Sequence, residues 1–514
     1  MSSSAVSSSA RGAGFLILLQ ISSRALTFAL NQVLLRFLSP TLLGAAVQLE
    51  LYIISAHHFA RESLRVACQR QPKSGIQSAV NLSYLAIAGG IPIVLVLAQW
   101  YLSTTYPDVP YFVEALRICE LAAIIELLSE PAFVAVQQKM LYKTRAAAEA
   151  SAVVVKTFST AGLVFWGQYR NVEVGVLPFA VGELAYCTTL TMVYLWHVAP
   201  VAVADKSSLL LSKIQPSSEE ERNDLLYSRL SKSLLNLSVS LYIQSGIKYV
   251  LTQGDVIVST TLASLEDQGM YALSANYGGL IARMVFRPIE DSSRNLFAQL
   301  CASTPEEKQT ESEKGKTKNA PANITQAATI LRDILHVYTI VSLLAFTLGP
   351  TAAPLLLQLV AGSRWSASGA GEVLGTYCYC IPLLAINGVS EAFVAATASE
   401  KDLYWQSIWM GAFSAAFAGS SYVFLRVLSL GAKGLRWFGE RGVDFKLVDL
   451  MPNIYATGAA IVIPSLLSQT SGLLAKYGLL GELVRVGAIG GVFALFVAVT
   501  ERRFLLDCYR RLRS

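Results

Sequence analysis

Charged side chains interrupt the apolar segments of this sequence, and their types decide which ligands those segments can hold. A charge in hydrocarbon costs at least about 2.5 kcal/mol, so it needs a partner or a water-filled cavity. Arginine forks match phosphate oxygens in a bidentate manner, so we expect an anionic, phosphate-bearing ligand. The alternative for some of these arginines is a solvated position at a helix end. The basic set comprises Arg24, Arg61, Arg65, Arg283 and Arg287, together with Lys248.

Carboxylates form a second set within the same segments. Glu126 and Glu130 have the i, i+4 spacing that places them on one helix face, where they could hold a proton or a cation. For Lys156, Glu149 and Glu183 we prefer structural pairing between helices. Glu290 and Glu391 are further intramembrane acids.

Motifs of other chemistries are missing from the sequence. No G-x-x-x-x-G-K-[ST] motif is present, so this chain is not expected to hydrolyse ATP. His57 and His58 are adjacent and have no partner at ligand spacing, and the cysteines show no CxxC motif. We therefore expect a protein that is not an enzyme, with no catalytic residues, metal or cofactor and no nucleic-acid partner.

The composition indicates that lipid is the solvent of most of the chain. Of 514 residues, 53% are hydrophobic and 15% are charged, against roughly 25% charged residues in soluble domains. Apolar stretches of about 20 residues recur, which is the length a membrane-spanning helix needs. We predict about 13 spans, near residues 13–37, 41–60, 80–102, 112–137, 147–166, 174–198, 233–252, 270–298, 328–349, 371–397, 403–429, 451–468 and 483–500.

The distribution of basic loops predicts the orientation. The loops after the second and fourth spans carry Lys and Arg, whereas loops 103–111 and 253–269 carry none. The N-terminus is therefore expected in the cytosol. The rule breaks in loop 431–450 and after residue 500, which are basic but fall on the wrong side. An additional span near Gly434 would repair both violations, so we infer that a helix has been lost there; the alternative is a re-entrant or mis-oriented tail.

Two motifs recur at the same helix offset and indicate a duplication. Ser129-Glu130-Pro131-Ala132-Phe133 is matched by Ser390-Glu391-Ala392-Phe393, and Glu62-Ser63-Leu64-Arg65 more weakly by Asp291-Ser292-Ser293-Arg294. We predict an all-α polytopic protein with two lobes of about six helices each, in a pseudo-two-fold arrangement around a cavity, plus C-terminal helices. The predicted parts are an N-lobe at 1–200, a cytosolic linker at 201–232, a C-lobe at 233–430 with a cytosolic disordered loop at 302–326, the basic loop at 431–450, and C-terminal spans with a basic tail at 451–514.

Three longer motifs resemble a known family. The segments 59–70 (FARESLRVACQR), 279–290 (GLIARMVFRPIE) and 386–393 (INGVSEAF) are similar to signatures of the Rft family of endoplasmic-reticulum oligosaccharide-lipid translocation proteins. That family belongs to the superfamily of multidrug exporters, polysaccharide flippases and the bacterial lipid II flippase. The resemblance implies about fourteen helices. It also implies that the family's twelfth helix is absent after Gly434-Leu435, in agreement with the charge argument.

The resemblance implies a function and a set of site residues. Members are implicated in bringing the dolichol-diphosphate heptasaccharide Man5GlcNAc2-PP-dolichol from the cytosolic to the lumenal leaflet for N-glycosylation. The lipid II flippase places arginines of its first, second and eighth helices around a pyrophosphate, which corresponds here to Arg24, Arg61 or Arg65, and Arg283. The full candidate substrate-binding set is Arg24, Arg61, Arg65, Lys248, Arg283, Arg287, Glu290, Asn387 and Glu391.

Three hypotheses follow for the function. The leading one is a flippase in the endoplasmic-reticulum membrane, with dolichol-diphosphate oligosaccharide and membrane lipids as its partners. The second is an accessory protein that organises lipid-linked oligosaccharide assembly without flipping. The third is a cation-coupled small-molecule exporter that would use Glu126 or Glu130.

Overall fold

The computed structural model describes most of the chain as α-helix. It covers residues 28–69, 75–103, 106–139, 141–204, 208–214, 219–302, 322–362, 365, 367–397 and 450–513. Arg24, the expected span 403–429 and the inferred deletion near Gly434 lie outside these residues. The described chain divides into two compact units, Met1–Gly269 and Met270–Ser514.

The first unit consists of helices and one short hairpin. A π-helical segment, His58–Glu62, connects α2 to α3 without a loop and is called the first π segment. The strands β1 (Leu225–Leu226) and β2 (Leu230–Ser231) pair antiparallel. The helices are α1 (28–35), α2 (Pro40–His57), α3 (Ser63–Gln69), α4 (Gly75–Ser103), α5 (Phe112–Leu127), α6 (Glu130–Gln138), α7 (Tyr142–Arg170), α8 (Leu177–Ala204), α9 (Glu219–Asp224) and α10 (Lys232–Leu262).

Local sequence signals explain where several helices start. Ser39 caps α2 by accepting a hydrogen bond from the Leu42 N–H at 3.2 Å, and Pro40 occupies the first helical position, where its missing N–H has no cost. Ser231 caps α10 in the same way through the Leu234 N–H at 3.3 Å. These caps place the apolar stretches that follow them in helices with satisfied ends.

Close helix packing builds the apolar core of the first unit. Residues of α2, α4 and α5 form one buried cluster that includes Leu49, Val94 and Leu116. The beginning of α11 (Leu265–Ile281) approaches α2 so closely that a Cβ on Gly44 would collide with the Leu265 carbonyl oxygen. Glycine is therefore required at this helix contact.

The linker predicted at 201–232 is docked on α4. The buried Asn81 side chain donates to the carbonyl oxygens of Ser212 and Arg229, both at 2.7 Å, and accepts from the Ser212 N–H at 3.2 Å. Tyr84 donates to the Leu209 carbonyl at 3.0 Å. One buried amide thus ties two linker segments to α4. In addition, α10 belongs to the first compact unit, although the sequence analysis assigned it to the C-lobe.

The second unit repeats the helix–π–helix arrangement. A second π segment, Ala282–Phe286, connects α11 to α12, and a 3-10 turn at Cys378–Cys380 connects α14 to α15. The start of α13 at Ala322 lies inside the loop 302–326 that was expected to be disordered, and packing explains the difference, because Ile324 is buried. The helices are α12 (Arg287–Ala302), α13 (Ala322–Ala361), α14 (Ala370–Tyr377), α15 (Ile381–Thr397), α16 (Ile454–Gln469), α17 (Gly478–Thr500) and α18 (Arg502–Arg513).

The protein is a membrane protein by the length and apolarity of its helices. Within the described residues, 5 helices are long and apolar enough to cross a membrane. They are Ile76–Ser103, Lys143–Arg170, Asn323–Ala361, Ala370–Val394 and Gly478–Thr500, and Ile454–Gln469 is a shorter apolar helix. The predicted helical membrane fold is therefore confirmed in outline, whereas the total of about 13 spans remains a prediction.

Candidate functional site

Two candidate arginines of the first unit lie on a distorted part of their helix. Arg61 lies in the first π segment and Arg65 one turn later on α3. A π segment accommodates an extra residue within a helical turn and changes the direction in which the following side chains point, and such segments recur at functional sites. Neither arginine is a solvated helix-end charge, because their side chains are only 12% and 21% exposed.

The carboxylates that face these arginines lie on either side of a helix break. The expected single span 112–137 is divided into α5, which ends at Leu127, and α6, which begins at Glu130. Pro131 explains the break, because it lacks an N–H and its ring clashes with the carbonyl of a preceding turn. Glu126 and Glu130 therefore come from the last turn of one helix and the first turn of the next.

The charges form a continuous chain of ion pairs. Arg61 donates to the Glu126 Oε1 at 2.7 Å through Nη2 and to the Glu130 Oε1 at 2.9 Å through Nη1. Arg65 donates to Glu130 in a bidentate manner, from Nε at 3.0 Å and from Nη2 at 2.5 Å. The two carboxylates are buried, with Glu126 at 5% and Glu130 at 1% exposure. We call Arg61, Arg65, Glu126 and Glu130 the charge network.

Neighbouring side chains complete the surroundings of the charge network. The guanidinium of Arg65 lies 3.8 Å from the centre of the Phe133 ring, a favourable cation–π geometry. The Cys187 thiol donates to the Glu126 Oε2 at 3.2 Å, and His57 Nδ1 lies 3.7 Å from the same oxygen. Phe133 belongs to the repeated motif and was visible in the sequence, whereas nothing in the sequence indicated Cys187.

The charge network is electrically balanced, which limits what it can do. At Glu130 a cation or proton would have to displace a guanidinium, because both carboxylate oxygens accept from Arg65. At Glu126 the oxygen that accepts from no guanidinium is Oε2, which accepts from the Cys187 thiol. A phosphate would likewise have to exchange with a carboxylate at Arg61 or Arg65. The arrangement therefore stabilises the helix contact in its present state and can take a ligand only by exchange of partners. Among the described residues, no group of three His, Cys, Asp or Glu side chains could hold a metal ion.

The remaining basic candidate of the first unit lies nearer to the surface. Lys248 on α10 is 3.5 Å from Glu62 at the end of the first π segment, and its side chain is 63% exposed. The expected structural pairing is confirmed for Lys156 and Glu183, which form an ion pair between α7 and α8. Glu149 pairs instead with Arg145 on its own helix at 2.8 Å.

In the second unit the candidates lie on two helices that pack together. Arg283 lies in the second π segment, and Arg287 begins α12. The Glu290 carboxylate rests against Gly388 of α15 so closely that a Cβ there would collide with it. Asn387, the neighbour of Gly388, has a buried Oδ1 with no hydrogen-bond partner among the described residues. Glu391 lies one turn further along α15.

Sequence reasoning missed a polar contact near the last described helices. The buried Glu501 accepts a hydrogen bond from the Asn453 N–H at 2.5 Å, and its other oxygen lies 3.2 Å from His336 Nε2. This contact connects α13, α16 and the end of α17. No motif marks it, because the three residues are far apart in sequence.

Comparison with known proteins identifies the family. Residues 8–437 match the model of the Rft protein family. This chain belongs to the Rft family. The match covers most of the chain and confirms the family that the motifs at 59–70, 279–290 and 386–393 indicated.

Similar Rft proteins come from fungi and from mouse, and each is named Man(5)GlcNAc(2)-PP-dolichol translocation protein RFT1. The Yarrowia lipolytica protein is 32% identical, with 83% of this chain and 67% of the relative covered. The Saccharomyces cerevisiae protein is 29% identical, with 83% and 79% covered. The Mus musculus protein is 31% identical, with 79% and 75% covered.

Among solved structures, the fold is similar to that of the lipid II flippase MurJ in its inward closed conformation. The TM-score is 0.59 at 11% identity, and the match covers 96% of this chain and 99% of the flippase chain. At this identity the likeness establishes the fold alone. The Rft chain thus has a flippase-type helical fold, and the names of the similar proteins given above refer to translocation and not to an enzyme class.

Proposed function

We propose that this Rft protein translocates Man5GlcNAc2-PP-dolichol from the cytosolic to the lumenal leaflet of the endoplasmic-reticulum membrane for protein N-glycosylation. Its membership of a family whose members are named for this translocation is the observation that carries the proposal. The flippase-type fold supports it. The proposal includes a cytosolic N-terminus and two lobes of about six helices each.

Arginine is the residue type best suited to the diphosphate, because its planar fork matches two phosphate oxygens. Arg61 and Arg65 already donate to carboxylates in the charge network. We therefore propose that the diphosphate first meets Arg24, Arg283 and Arg287, and that the polar groups of Glu290, Asn387 and Glu391 contribute to the same site. Lys248, with its exposed ammonium, is proposed as a peripheral contact.

The charge network argues against the cation-coupled exporter as an alternative. Both acids that such a mechanism would use, Glu126 and Glu130, are held by guanidinium groups within hydrogen-bonding distance. A cation would need to replace a charge-assisted hydrogen bond at Glu130, and at Glu126 it would be repelled by the adjacent Arg61 guanidinium. Translocation in liposomes distinguishes the flippase from the non-flipping accessory role.

The test is translocation of labelled Man5GlcNAc2-PP-dolichol by the purified full-length protein in liposomes. We expect transport that falls on the order of tenfold or more in Arg24→Ala and Arg283→Ala, since each removes charge-assisted hydrogen bonds to the ligand. Arg117→Ala is the matched control, because the Arg117 side chain pairs with Glu120 of its own helix and is 50% exposed. Absence of transport by the wild type, with N-glycosylation in cells still dependent on the protein, would establish the accessory role instead.

A further inference from the structure

The helix α18 begins directly where a candidate membrane span ends. The span is Gly478–Thr500, and only Glu501 separates it from α18 at Arg502–Arg513. A helix that starts one residue after a span begins at the depth of the lipid headgroups. Basic residues in that position are typical of helices that lie on a membrane surface.

The start of α18 is held in place by buried contacts. Glu501 is 6% exposed and accepts a hydrogen bond from the Asn453 N–H at 2.5 Å. The ring of Phe504 lies 4.3 Å from the His336 ring in an edge-to-face arrangement. The direction in which α18 leaves the bundle is therefore determined by α13 and α16.

The sequence of α18 divides into an apolar and a basic side. At 100° per residue, Phe504 and Cys508 follow one another along one side, and Leu505 lies beside them. Phe504 and Cys508 are half-buried, whereas Leu505 is exposed. The opposite side carries Arg502, Arg503, Arg510 and Asp507, with the exposed Leu506 among them. The arginines of α18 are Arg502, Arg503, Arg510, Arg511 and Arg513.

We propose that α18 lies in the headgroup layer and binds anionic phospholipids of the leaflet into which α17 emerges. The composition of α18 carries this inference, because arginines dominate and Asp507 is its one acid. Clusters of four to eight basic residues beside a span attract anionic lipid, with roughly a fivefold gain in affinity for each one. Leu505 would insert among the acyl chains, while Asp507 would face water.

Two spin-labelled variants of the full-length protein test the proposal in nanodiscs. The label is attached at Leu505→Cys or, as the matched control on the opposite side, at Asp507→Cys, after Cys301, Cys380 and Cys508 are replaced by Ser. In discs that contain phosphatidylserine we expect the label at 505 to be shielded from a water-soluble nickel chelate and accessible to oxygen. The label at 507 should show the reverse.

The electrostatic attraction between α18 and the lipid is then weakened in two independent ways. Replacement of Arg502, Arg503 and Arg510 by Gln should lower the retention of phosphatidylserine on the purified protein on the order of a hundredfold. High salt and discs of phosphatidylcholine alone should expose the label at 505 in the protein with its arginines intact. The proposal is overturned if the label at 505 is water-exposed in anionic discs. It is also overturned if the label is equally shielded in every lipid and salt condition, which would show that α18 packs against protein.

Discussion

The two compact units carry the same arrangement of arginines on the same kind of distorted helix, but they differ in the acids on the neighbouring helix. Arg61 lies in the first π segment with Arg65 one turn later, and Arg283 lies in the second π segment with Arg287 one turn later. In the first unit the repeated Ser-Glu motif starts α6 after a break. In the second unit it lies within the continuous helix α15.

The difference between the units concerns one acid and one proline. Aligning Ser129-Glu130 with Ser390-Glu391 places Asn387 at the position of Glu126, and Pro131 has no counterpart. The second unit instead has Glu290 on the arginine-bearing helix, against Gly388. The two units thus have a similar helix–π–helix scaffold. The first unit has the charge network at this position. The second has the buried amide oxygen of Asn387, which is not hydrogen-bonded by any described residue.

The largest effect is expected when Glu130 is removed. Glu130→Ala would leave two largely buried guanidinium groups without their shared partner, and breaking a buried ion pair costs about 3–5 kcal/mol. We expect a large loss of thermal stability, measured on the full-length protein in detergent. The matched substitution in the second unit is Glu391→Ala, which should cost less because Glu391 is only half-buried. Equal losses in the two variants would remove the distinction between the units.

A smaller effect is expected at Glu126, because Arg61 keeps its bond to Glu130. Glu126→Gln removes the charge at one end of the network and leaves a partial hydrogen bond, so we expect a loss of about 1–3 kcal/mol. Arg61→Gln and the double variant complete a double-mutant cycle. A coupling energy near zero between Arg61 and Glu126 would contradict the 2.7 Å contact.

Much of this architecture was predictable, because helix length and charge spacing are local properties of the sequence. The helices α4, α7 and α13 cover the expected spans, and the Lys156–Glu183 pair was expected from two charges inside apolar segments. The family motifs marked both π segments without revealing their geometry. The helix break before Glu130 follows from Pro131 and could have been read from the sequence.

The partners within the charge network could not be predicted, since they depend on how helices far apart in sequence pack. Arg61 and Glu126 were assigned to different roles, an anion site and a cation site, because nothing local shows that they meet. The same holds for Asn81, which was not expected to tie the linker to α4. The sign of each charge is thus visible in the sequence, but the residue with which it pairs is determined by the tertiary structure.

Substitution of Asn387 distinguishes a structural role of its side chain from a role in ligand binding. Its Oδ1 is buried without a hydrogen bond from any described residue, and an unsatisfied buried acceptor costs about 1–3 kcal/mol. Asn387→Leu should therefore leave stability unchanged or raise it by about 1 kcal/mol, while it lowers translocation if the amide contacts the ligand. The control is Asn81→Leu, which breaks several hydrogen bonds of a buried amide and should destabilise the protein. A marked loss of stability in Asn387→Leu would show that the amide has a structural partner.

The smallest effect on stability is expected at Lys248, where a basic residue of the first unit lies outside the charge network. The Lys248–Glu62 pair spans 3.5 Å, with side chains 63% and 32% exposed. Solvent screens such a pair, so Lys248→Met should change stability by less than about 1 kcal/mol. If Lys248 contacts the diphosphate, translocation falls in Lys248→Met but not in Glu62→Gln, which breaks the same ion pair and keeps the cation. Equal transport rates in the two variants would limit Lys248 to the ion pair, and the binding of phosphate would then rest on the arginines alone.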